Sequence, residues 1–267
     1  MSGRLRRIVP RQLRRAGRRL LTEMPVRLRD MPRDIRDRIF RPRDEQMPPA
    51  RLRYRVAGTS ARASFDTVGR LIAVDLLRVA EPFLTNIAEP RTLDFGAGCG
   101  RVARQLTALL KSSELTGVDV DRSAIEWCSK HLPGNFVAIQ PDSPLPFESA
   151  TFDFAYAVSI FTHLDAAGQA FWLSELARVL RPSGCLVITT LSPSLSYTRP
   201  DMSAADREQL QRTGFLYLPG QGDFNENSSF QTREFLAAAL PDVVLVHHET
   251  HGLTKYQDIA VFTRARS

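Results

Sequence analysis

Three glycines at alternate positions, Gly96, Gly98 and Gly100, follow an apolar run that contains Asp94. Glycines at this spacing allow the backbone to bend sharply and allow a ligand to lie close to the main chain. Apolar residues continue after Gly100 at helical spacing, which predicts a helix whose first N–H groups can bind a polar or anionic ligand. A strand, a glycine turn and a helix in this order predict a nucleotide-binding site.

A second carboxylate supports this prediction. Asp119 ends a further apolar run over residues 115–119, and an acidic side chain at the end of the next strand can accept hydrogen bonds from both hydroxyls of a ribose. The spacing G-x-G-x-G differs from the dinucleotide fingerprint G-x-G-x-x-G, and the chain has no Y-x-x-x-K pair. Both observations disfavour a nicotinamide-dependent oxidoreductase.

Structural alternatives stay open for the same residues. The glycines could form only a tight turn. Asp94 could merely orient that turn by accepting backbone N–H groups, and Asp119 could be a plain solvated strand end.

The composition predicts one well-buried α/β domain with an appendage. The chain has 267 residues, of which 43% are apolar and 24% charged, which is ordinary for a globular protein. It has neither the roughly 18 consecutive apolar residues of a membrane-spanning helix nor the segment order of a signal peptide, so a cytoplasmic location is expected. Cys99, Cys128 and Cys185 are far apart and lack C-x-x-C spacing, which argues against a disulfide framework and against a metal site.

The net charge of +7 is concentrated in an N-terminal arm. Residues 1–45 contain fifteen arginines and six acidic residues, so this segment carries +9 and the remainder −2. Residues 1–49 are Arg- and Pro-rich with few aromatics, which favours a flexible basic arm over a packed domain. The alternative is a short amphipathic helix that attaches residues 1–45 to an anionic membrane at its inner face. Nucleic acid is a less favoured partner, because aromatic residues are not interleaved with the arginines.

Alternating helical and strand-like patterns after the arm predict the fold. A helical extension over 50–89 contains a helix at 64–88 that Pro82 kinks or restarts. The later predicted elements are strand 92–95, helix 101–110, strand 115–120, helix 123–131, strands 136–139 and 152–158, helix 165–180, strand 184–191, helix 233–240, and strands 243–248 and 258–262. This order predicts an α/β, doubly wound, mostly parallel seven-stranded Rossmann-like sheet with an antiparallel C-terminal edge hairpin. Residues 192–230 interrupt the pattern and are predicted to form a long substrate loop.

Three further segments carry recognisable motifs. They are L-P-F-x-x-x-x-F-D within 144–153, the strand and its exit at 155–164, and E-x-x-R-V-L-R-P-S-G at 175–184. Together with the glycine turn and Asp119, they make residues 90–191 resemble the core of class I S-adenosylmethionine-dependent methyltransferases of the type 11/25 kind. A narrower set at 48–58, 159–164 and 257–258 resembles a bacterial methyltransferase group whose members often accompany glycosyltransferases in polysaccharide or glycolipid synthesis.

The resemblance implies S-adenosylmethionine as the cofactor, bound by a domain over residues 90–267. The implied cofactor-binding residues are Asp94, Gly96, Ala97, Gly98, Gly100, Asp119, Val120, Asp142, Ser143 and Ser159. Asp94 and the turn would hold the methionine part and Asp119 the ribose. Val120 would face the adenine ring, with Asp142 and Ser143 at its edge. Asp142 departs from the family register, since the acid expected four residues before the leucine of L-P-F falls on Pro141.

Methyl transfer requires alignment of the acceptor and exclusion of water, rather than a metal or a covalent intermediate. The resemblance implies an enzyme that methylates an oxygen of a sugar, glycolipid or other small molecule, and a base helps to remove the hydroxyl proton. His163, at the exit of the fourth strand, is the candidate catalytic base. The alternative is a structural histidine that bonds nearby backbone.

Other polar and aromatic residues have open roles. His247, His248 and His251 are expected at the surface or in the core, with His251 the one that faces the site. Tyr197, Phe215 and Tyr217 would either cover the acceptor as a lid or anchor the long loop.

Two alternative functions remain. A nucleic-acid or protein methyltransferase could use the basic arm, although the exit of the fourth strand reads S-I-F-T rather than N-P-P-aromatic and no Pro-Cys dipeptide is present. A non-catalytic module could keep the cofactor pocket as a scaffold, because fold and cofactor do not determine activity.

Overall fold

The computed structural model describes residues 47–110, 114–220, 226–238 and 243–265. The predicted basic arm lies outside the described residues except for 47–49, so its partner and its membrane attachment stay predictions. The chain divides into two compact units, Met1–Thr67 and Val68–Ser267. None of the described helices is long and apolar enough to cross a membrane.

The first unit contains helix α1 (Ala50–Ala57). It ends at Gly58, whose φ of 64° is left-handed and whose N–H donates to the Tyr54 carbonyl at 2.8 Å. The buried Arg53 donates from Nε to the Ser60 carbonyl at 2.7 Å and from Nη1 to the Pro48 carbonyl. The arginine and glycine of the 48–58 motif therefore have structural roles at the ends of this helix.

The rest of the described chain alternates strands and helices. In chain order these are α2 (Arg62–Leu84), β1 (Thr92–Phe95), α3 (Ala103–Leu110), β2 (Leu115–Asp119), α4 (Arg122–His131), β3 (Asn135–Ala138), β4 (Phe152–Ala157), α5 (Ala166–Val179), β5 (Leu180–Thr190), the short 3-10 helix η1 (Pro193–Thr198), α6 (Ala204–Thr213), β6 (Phe215–Leu218), β7 (Ser228–Gln231), α7 (Arg233–Ala237), β8 (Val243–Leu253) and β9 (Gln257–Arg264). The helix that was predicted to reach residue 88 ends at Leu84, and Pro82 lies inside its last turn.

Local signals explain where the central helices begin. Asp121 precedes α4 and accepts from the N–H groups of Ser123 and Ala124 at 3.1 and 3.3 Å. Asp165 precedes α5 and accepts from the N–H of Gly168 at 2.8 Å. Such side chains satisfy N–H groups that have no partner inside the helix. Both helices start within one residue of their predicted positions.

The main sheet has seven strands in the order β3-β2-β1-β4-β5-β9-β8. The neighbours from β3 to β5 are parallel, whereas β9 is antiparallel to both β5 and β8. The predicted sheet and its antiparallel edge hairpin are therefore confirmed. Strand β1 pairs with β2 on one side and β4 on the other, so the strand order reverses there. In open α/β sheets, ligands bind at the carboxyl ends of the strands at such a point.

The central strand β4 is buried on both faces of the sheet. All six residues of β4 are buried, and alternate residues belong to different hydrophobic clusters, with Phe154 and Tyr156 in one and Ala155 and Ala157 in the other. This near-continuous apolar run is typical of a parallel strand covered by helices on both faces. Tyr156 consequently carries a hydroxyl into the core directly beside β1.

The side chains of Glu175 and Arg178 hold the motif at 144–153 against the motif at 175–184. Arg178 contacts Glu175 at 2.8 Å, and it also donates to the carbonyls of Phe147 at 2.8 Å and Leu145 at 3.1 Å. Glu175 accepts from the N–H of Leu145 at 2.8 Å. The E-x-x-R pair thus fastens the segment before β4 to α5, which is a structural task.

Residues 192–230 were predicted to form a long irregular loop, and this prediction is wrong. In its described part the chain forms η1, α6 and an antiparallel pair, β6–β7, that is separate from the main sheet. A small core holds this segment together, consisting of Leu191, Met202, Leu210, Leu216 and Phe230. The Ser203–Asp206 capping box that starts α6 was a readable signal, but strands of four residues are too short to show a clear period.

The three cysteines, Cys99, Cys128 and Cys185, are buried and have free thiols.

Candidate active site

The glycine turn connects β1 to α3 at the carboxyl edge of the sheet. Gly96, Gly98 and Gly100 have φ values of 84°, 51° and 75°, a region that other residues adopt only with strain. The N–H groups of Gly96 and Ala97 both donate to the Val118 carbonyl at 2.9 Å. The turn is therefore held against the end of β2.

A side chain on either of two of these glycines would have to displace a neighbouring side chain. A Cβ on Gly96 would lie 2.2 Å from Cδ1 of Ile160, and one on Gly100 would lie 2.3 Å from Cδ1 of Leu132. Both contacts are with protein side chains, so they fit the structural alternative of a tight turn, and the ligand-binding role of the glycines stays a prediction.

We expect Gly100→Ala to destabilise the fold more than Gly58→Ala, although both glycines have left-handed φ values. A Cβ on Gly58 meets nothing within 4 Å, so strain alone should lower the free energy of unfolding, by about 1 kcal/mol. At Gly100 the collision with Leu132 adds to the strain, for a total of about 3 kcal/mol. Denaturant unfolding of both variants measures the difference, and equal losses would contradict the packing argument.

Asp119 joins the end of β2 to the glycine turn. Its Oδ2 accepts from the N–H of Gly98 at 2.7 Å, and its Oδ1 accepts from the N–H of Asp121 at 2.8 Å. The alternative of a plain solvated strand end is therefore wrong. One carboxylate fixes both the turn and the start of α4, which places it where the predicted ribose site would be.

Asp94 is buried beneath the turn, with only 3% of its surface exposed. Its Oδ2 has no hydrogen-bond partner among the described residues, and the turn N–H of Gly98 goes to Asp119 instead. The alternative in which Asp94 only orients the turn through this N–H is therefore not what the structure shows. Burial raises the pKa of Asp94 from 3.8 to about 7, the Tyr156 hydroxyl partly lowers it, and the Asp119 charge raises it further.

The predicted adenine side is open to solvent. Val120, directly after β2, is 49% exposed, and Asp142 and Ser143 are exposed in the turn that follows β3. All three lie beyond the carboxyl ends of neighbouring strands. Their contacts with an adenine ring stay a prediction.

Ser159 follows β4 with a φ of 59°. Its N–H donates to Oγ1 of Thr189 at 2.8 Å, and Nε2 of Gln257 donates to its Oγ at 2.9 Å. The structure thereby brings together two distant parts of the sequence, the S-x-F-T-H-L segment and the Gln257-Asp258 pair. Both belong to the narrower motif set noted in the sequence.

His163 lies just beyond β4 and is partly buried. Its Nδ1 lies 2.7 Å from the Asn227 carbonyl, and because a carbonyl can only accept, Nδ1 carries the proton. In the neutral ring Nε2 therefore has the free lone pair that a base requires. Burial lowers the pKa of His163, while the bond to Asn227 partly raises it. The structural alternative and the catalytic prediction are compatible, since the backbone bond fixes the tautomer.

A second polar group, only partly anticipated, surrounds His251 at the same sheet edge. Its N–H donates to Oδ1 of the buried Asp258 at 2.8 Å. Its Nδ1 donates to the Tyr256 carbonyl at 3.1 Å, so Nε2 can accept from Oγ of Ser194 at 3.0 Å. Burial raises the pKa of Asp258. Sequence reasoning selected His251 and noted Asp258 only as part of the Gln257-Asp258 motif. It missed Ser194, because nothing in the local sequence marks that residue.

The other residues with open roles are also placed. His247 is half-exposed and lies 3.6 Å from Glu249, whereas His248 lies 3.6 Å from Asp258. Phe215 stacks on Phe235 with ring centroids 4.8 Å apart, so it anchors its segment. Tyr197 is 71% exposed. Among the described residues there is no group of three or more His, Cys, Asp or Glu side chains that could hold a metal ion.

The central part of this chain is similar in sequence to known methyltransferases. Residues 93–188 match the family model described as Methyltransferase domain. The chain is 33% identical over 134 residues to an O-methyltransferase of Aspergillus nomiae, covering 48% of this chain and 58% of that protein. It is 35% identical over 127 residues to phthiotriol/phenolphthiotriol dimycocerosates methyltransferase 1 of Mycobacterium ulcerans, covering 46% of each. The chain thus spans about half the length of the curated relatives it matches.

A solved structure has a similar fold. The 1,6-didemethyltoxoflavin-N1-methyltransferase of Burkholderia thailandensis matches with a TM-score of 0.53 at 16% identity, covering 75% of this chain and 80% of that chain. At this identity the likeness concerns the fold alone.

Proposed function

We propose that this chain, whose residues 93–188 match a methyltransferase domain, transfers a methyl group from S-adenosylmethionine to a hydroxyl oxygen of a sugar, glycolipid or other small molecule. The observation that carries the proposal is the turn through Gly96, Gly98 and Gly100, tied to Asp119 where the strand order reverses. That is the place at which a doubly wound sheet binds a nucleotide.

The cofactor would supply a methyl group already activated by a sulfonium, so the chain has to bind, orient and exclude water. Asp119 would accept from the ribose hydroxyls, and Asp94 would face the methionine part. The exposed Val120 would cover one face of the adenine. Asp142 and Ser143 would lie at the adenine edge, and Ser159 would close the site at the end of β4.

The acceptor side of the site favours a neutral, hydroxyl-bearing molecule. Hydroxyl, amide and imidazole groups lie together at this sheet edge: Ser159 after β4, Ser194 after β5, His251 near the end of β8 and Gln257 at the start of β9. Such groups can both donate and accept hydrogen bonds, as hydroxyls do. The name of the matched Aspergillus nomiae protein, an O-methyltransferase, also favours oxygen as the methylated atom.

His163 would remove the acceptor proton. Its Nδ1–H is committed to the Asn227 carbonyl, so Nε2 is the atom that would take the proton as the oxygen attacks the methyl carbon. Since burial lowers the pKa of His163, the ring stays neutral at physiological pH and is ready to act as a base.

We expect His163→Ala to keep its affinity for S-adenosylhomocysteine within about twofold but to lose turnover by about 100-fold or more, because general-base catalysis contributes that much. His131→Ala is the matched control, since His131 also bonds a backbone carbonyl, that of Trp127 at 2.8 Å, but from the end of α4. Calorimetry measures the affinity, and transfer of labelled methyl groups measures turnover. Near-normal turnover of His163→Ala across the pH range would reject the role.

The proposed function is tested first by calorimetric titration of the whole chain with S-adenosylhomocysteine and, separately, with NADH. Micromolar binding of S-adenosylhomocysteine alone would support the proposal and justify a screen of sugars and glycolipids with labelled S-adenosylmethionine. Preference for NADH, or binding of neither ligand, would overturn it. Binding without transfer to any acceptor would favour a non-catalytic module.

A further inference from the structure

Two polar groups lie buried side by side under the glycine turn. Asp94 of β1 and Tyr156 of β4 are partners in the parallel register of these strands, so their side chains project from the same face of the sheet. They are 3% and 0% exposed. Neither Oδ2 of Asp94 nor the Tyr156 hydroxyl has a partner of normal hydrogen-bond geometry among the described residues. An acceptor and a donor are therefore placed together without a bond that satisfies either.

The surroundings of Asp94 disfavour its ionised form. Burial acts most strongly, and the carboxylate of Asp119 on β2 opposes a second negative charge nearby. The buried Cys128 thiol of α4 also interacts with Asp94. The Tyr156 hydroxyl acts in the opposite direction and favours the carboxylate. None of these three neighbours is a cation.

A buried carboxylate without a cationic partner is suited to a ligand that brings a positive charge. The amino group of the methionine part of S-adenosylmethionine would be such a charge, so this step rests on the proposed function. Cofactor binding should then require that Asp94 loses its proton. Burial and the Asp94 charge raise the pKa of Tyr156 well above its ordinary value, so its hydroxyl keeps its proton and stays a donor.

We propose that Tyr156 is a positioning residue for the cofactor: its buried hydroxyl acts through Asp94, favouring the carboxylate that the cationic part of the ligand needs. The tyrosine itself lies within the core and need not touch the ligand. Its effect is on the pH at which the site becomes able to bind.

The test is calorimetric titration of the whole chain with S-adenosylhomocysteine at about pH 6, 7 and 8.5, comparing wild type, Tyr156→Phe and Thr162→Val. Loss of the tyrosine hydroxyl should raise the pH at which binding reaches half its maximum by about one unit. Tyr156→Phe should therefore bind about tenfold more weakly than wild type at pH 6 and less than about twofold more weakly at pH 8.5. Thr162→Val removes an equally buried hydroxyl that also lacks a partner, and its profile should follow wild type.

The outcomes distinguish a failure of the proposed function from a failure of the role of Tyr156. If wild type binds S-adenosylhomocysteine at none of these pH values, the proposed function is overturned. If wild type binds but Tyr156→Phe loses the same factor at every pH, or none, the role of Tyr156 is overturned. Proton release on binding, measured in buffers of different ionisation enthalpy, gives a second check. It should be larger for Tyr156→Phe than for wild type at about pH 7, because more of the variant starts protonated.

Discussion

Replacing Asp119 with asparagine is expected to weaken S-adenosylhomocysteine binding by about 100-fold or more. Both carboxylate oxygens accept backbone N–H groups, from Gly98 and Asp121. An asparagine has only one acceptor oxygen, so its NH₂ group would face one of these donors. The ribose would also lose a charged acceptor, and hydrogen bonds to charged groups are each worth about 1.5–3 kcal/mol.

Asp142→Asn is the matched control for this variant. It makes the same chemical change at an exposed carboxylate in the turn after β3, and we expect less than about a fivefold loss because an exposed contact contributes little. Circular dichroism of both variants at the titration temperature tests whether they remain folded. If Asp119→Asn binds within threefold of wild type, Asp119 is not a cofactor residue.

Replacing Asp94 with asparagine is expected to stabilise the free protein while abolishing cofactor binding. Burial raises the pKa of Asp94 to about 7, whereas its value in the unfolded chain is close to 3.8. Between these two values the unfolded chain has lost the proton that the folded protein retains, so wild-type stability falls as the pH rises. Above pH 7 the loss is complete and amounts to about 4 kcal/mol at most.

The asparagine cannot ionise, so the gain should depend on pH. We expect Asp94→Asn to exceed wild type by about 2–4 kcal/mol at pH 8 and to differ little at pH 4. Urea unfolding at both pH values measures the difference. A variant that is less stable than wild type at both pH values would contradict the account of Asp94 as a buried group strained by its charge.

The Asp119 and Asp94 variants distinguish the roles of the two carboxylates in the ligand-free protein. Asp119 is satisfied by backbone donors and supports the turn. Oδ2 of Asp94 has no partner in the described part of the chain, and the buried carboxylate carries a free-energy penalty. Binding energy from a cationic ligand would offset that penalty. Functional sites often lower the stability of the folded protein, because their polar groups are left without partners until a ligand binds.

Much of the fold was readable from the sequence because its signals are local. The glycines at 96, 98 and 100 lie in left-handed conformations, and Asp121 and Asp165 cap the helices that follow them. The order of strands and helices led directly to the seven-stranded sheet. The boundaries differ by a few residues, as for β5, which starts at Leu180 because residues 180 and 152 pair before the register shifts.

The segment from η1 to β7 was not readable in this way. Its strands have four residues each. Its small core contains both Leu191 and Phe230, which are far apart in the sequence and form a β-bridge. A period cannot be recognised in so few residues. Only the packed structure shows that these residues form a second, two-stranded sheet.

The sequence by itself determined the chemical inventory of the site: the glycine turn, the acids at 94 and 119, and a histidine after the fourth strand. Tertiary structure alone decided what each group can do. It placed the Asn227 carbonyl against His163, which selects the ring nitrogen that can accept a proton. It also placed Tyr156 beside Asp94 in a buried register. Protonation and tautomer depend on burial and on partners distant in the chain, and these exist only once the chain has folded.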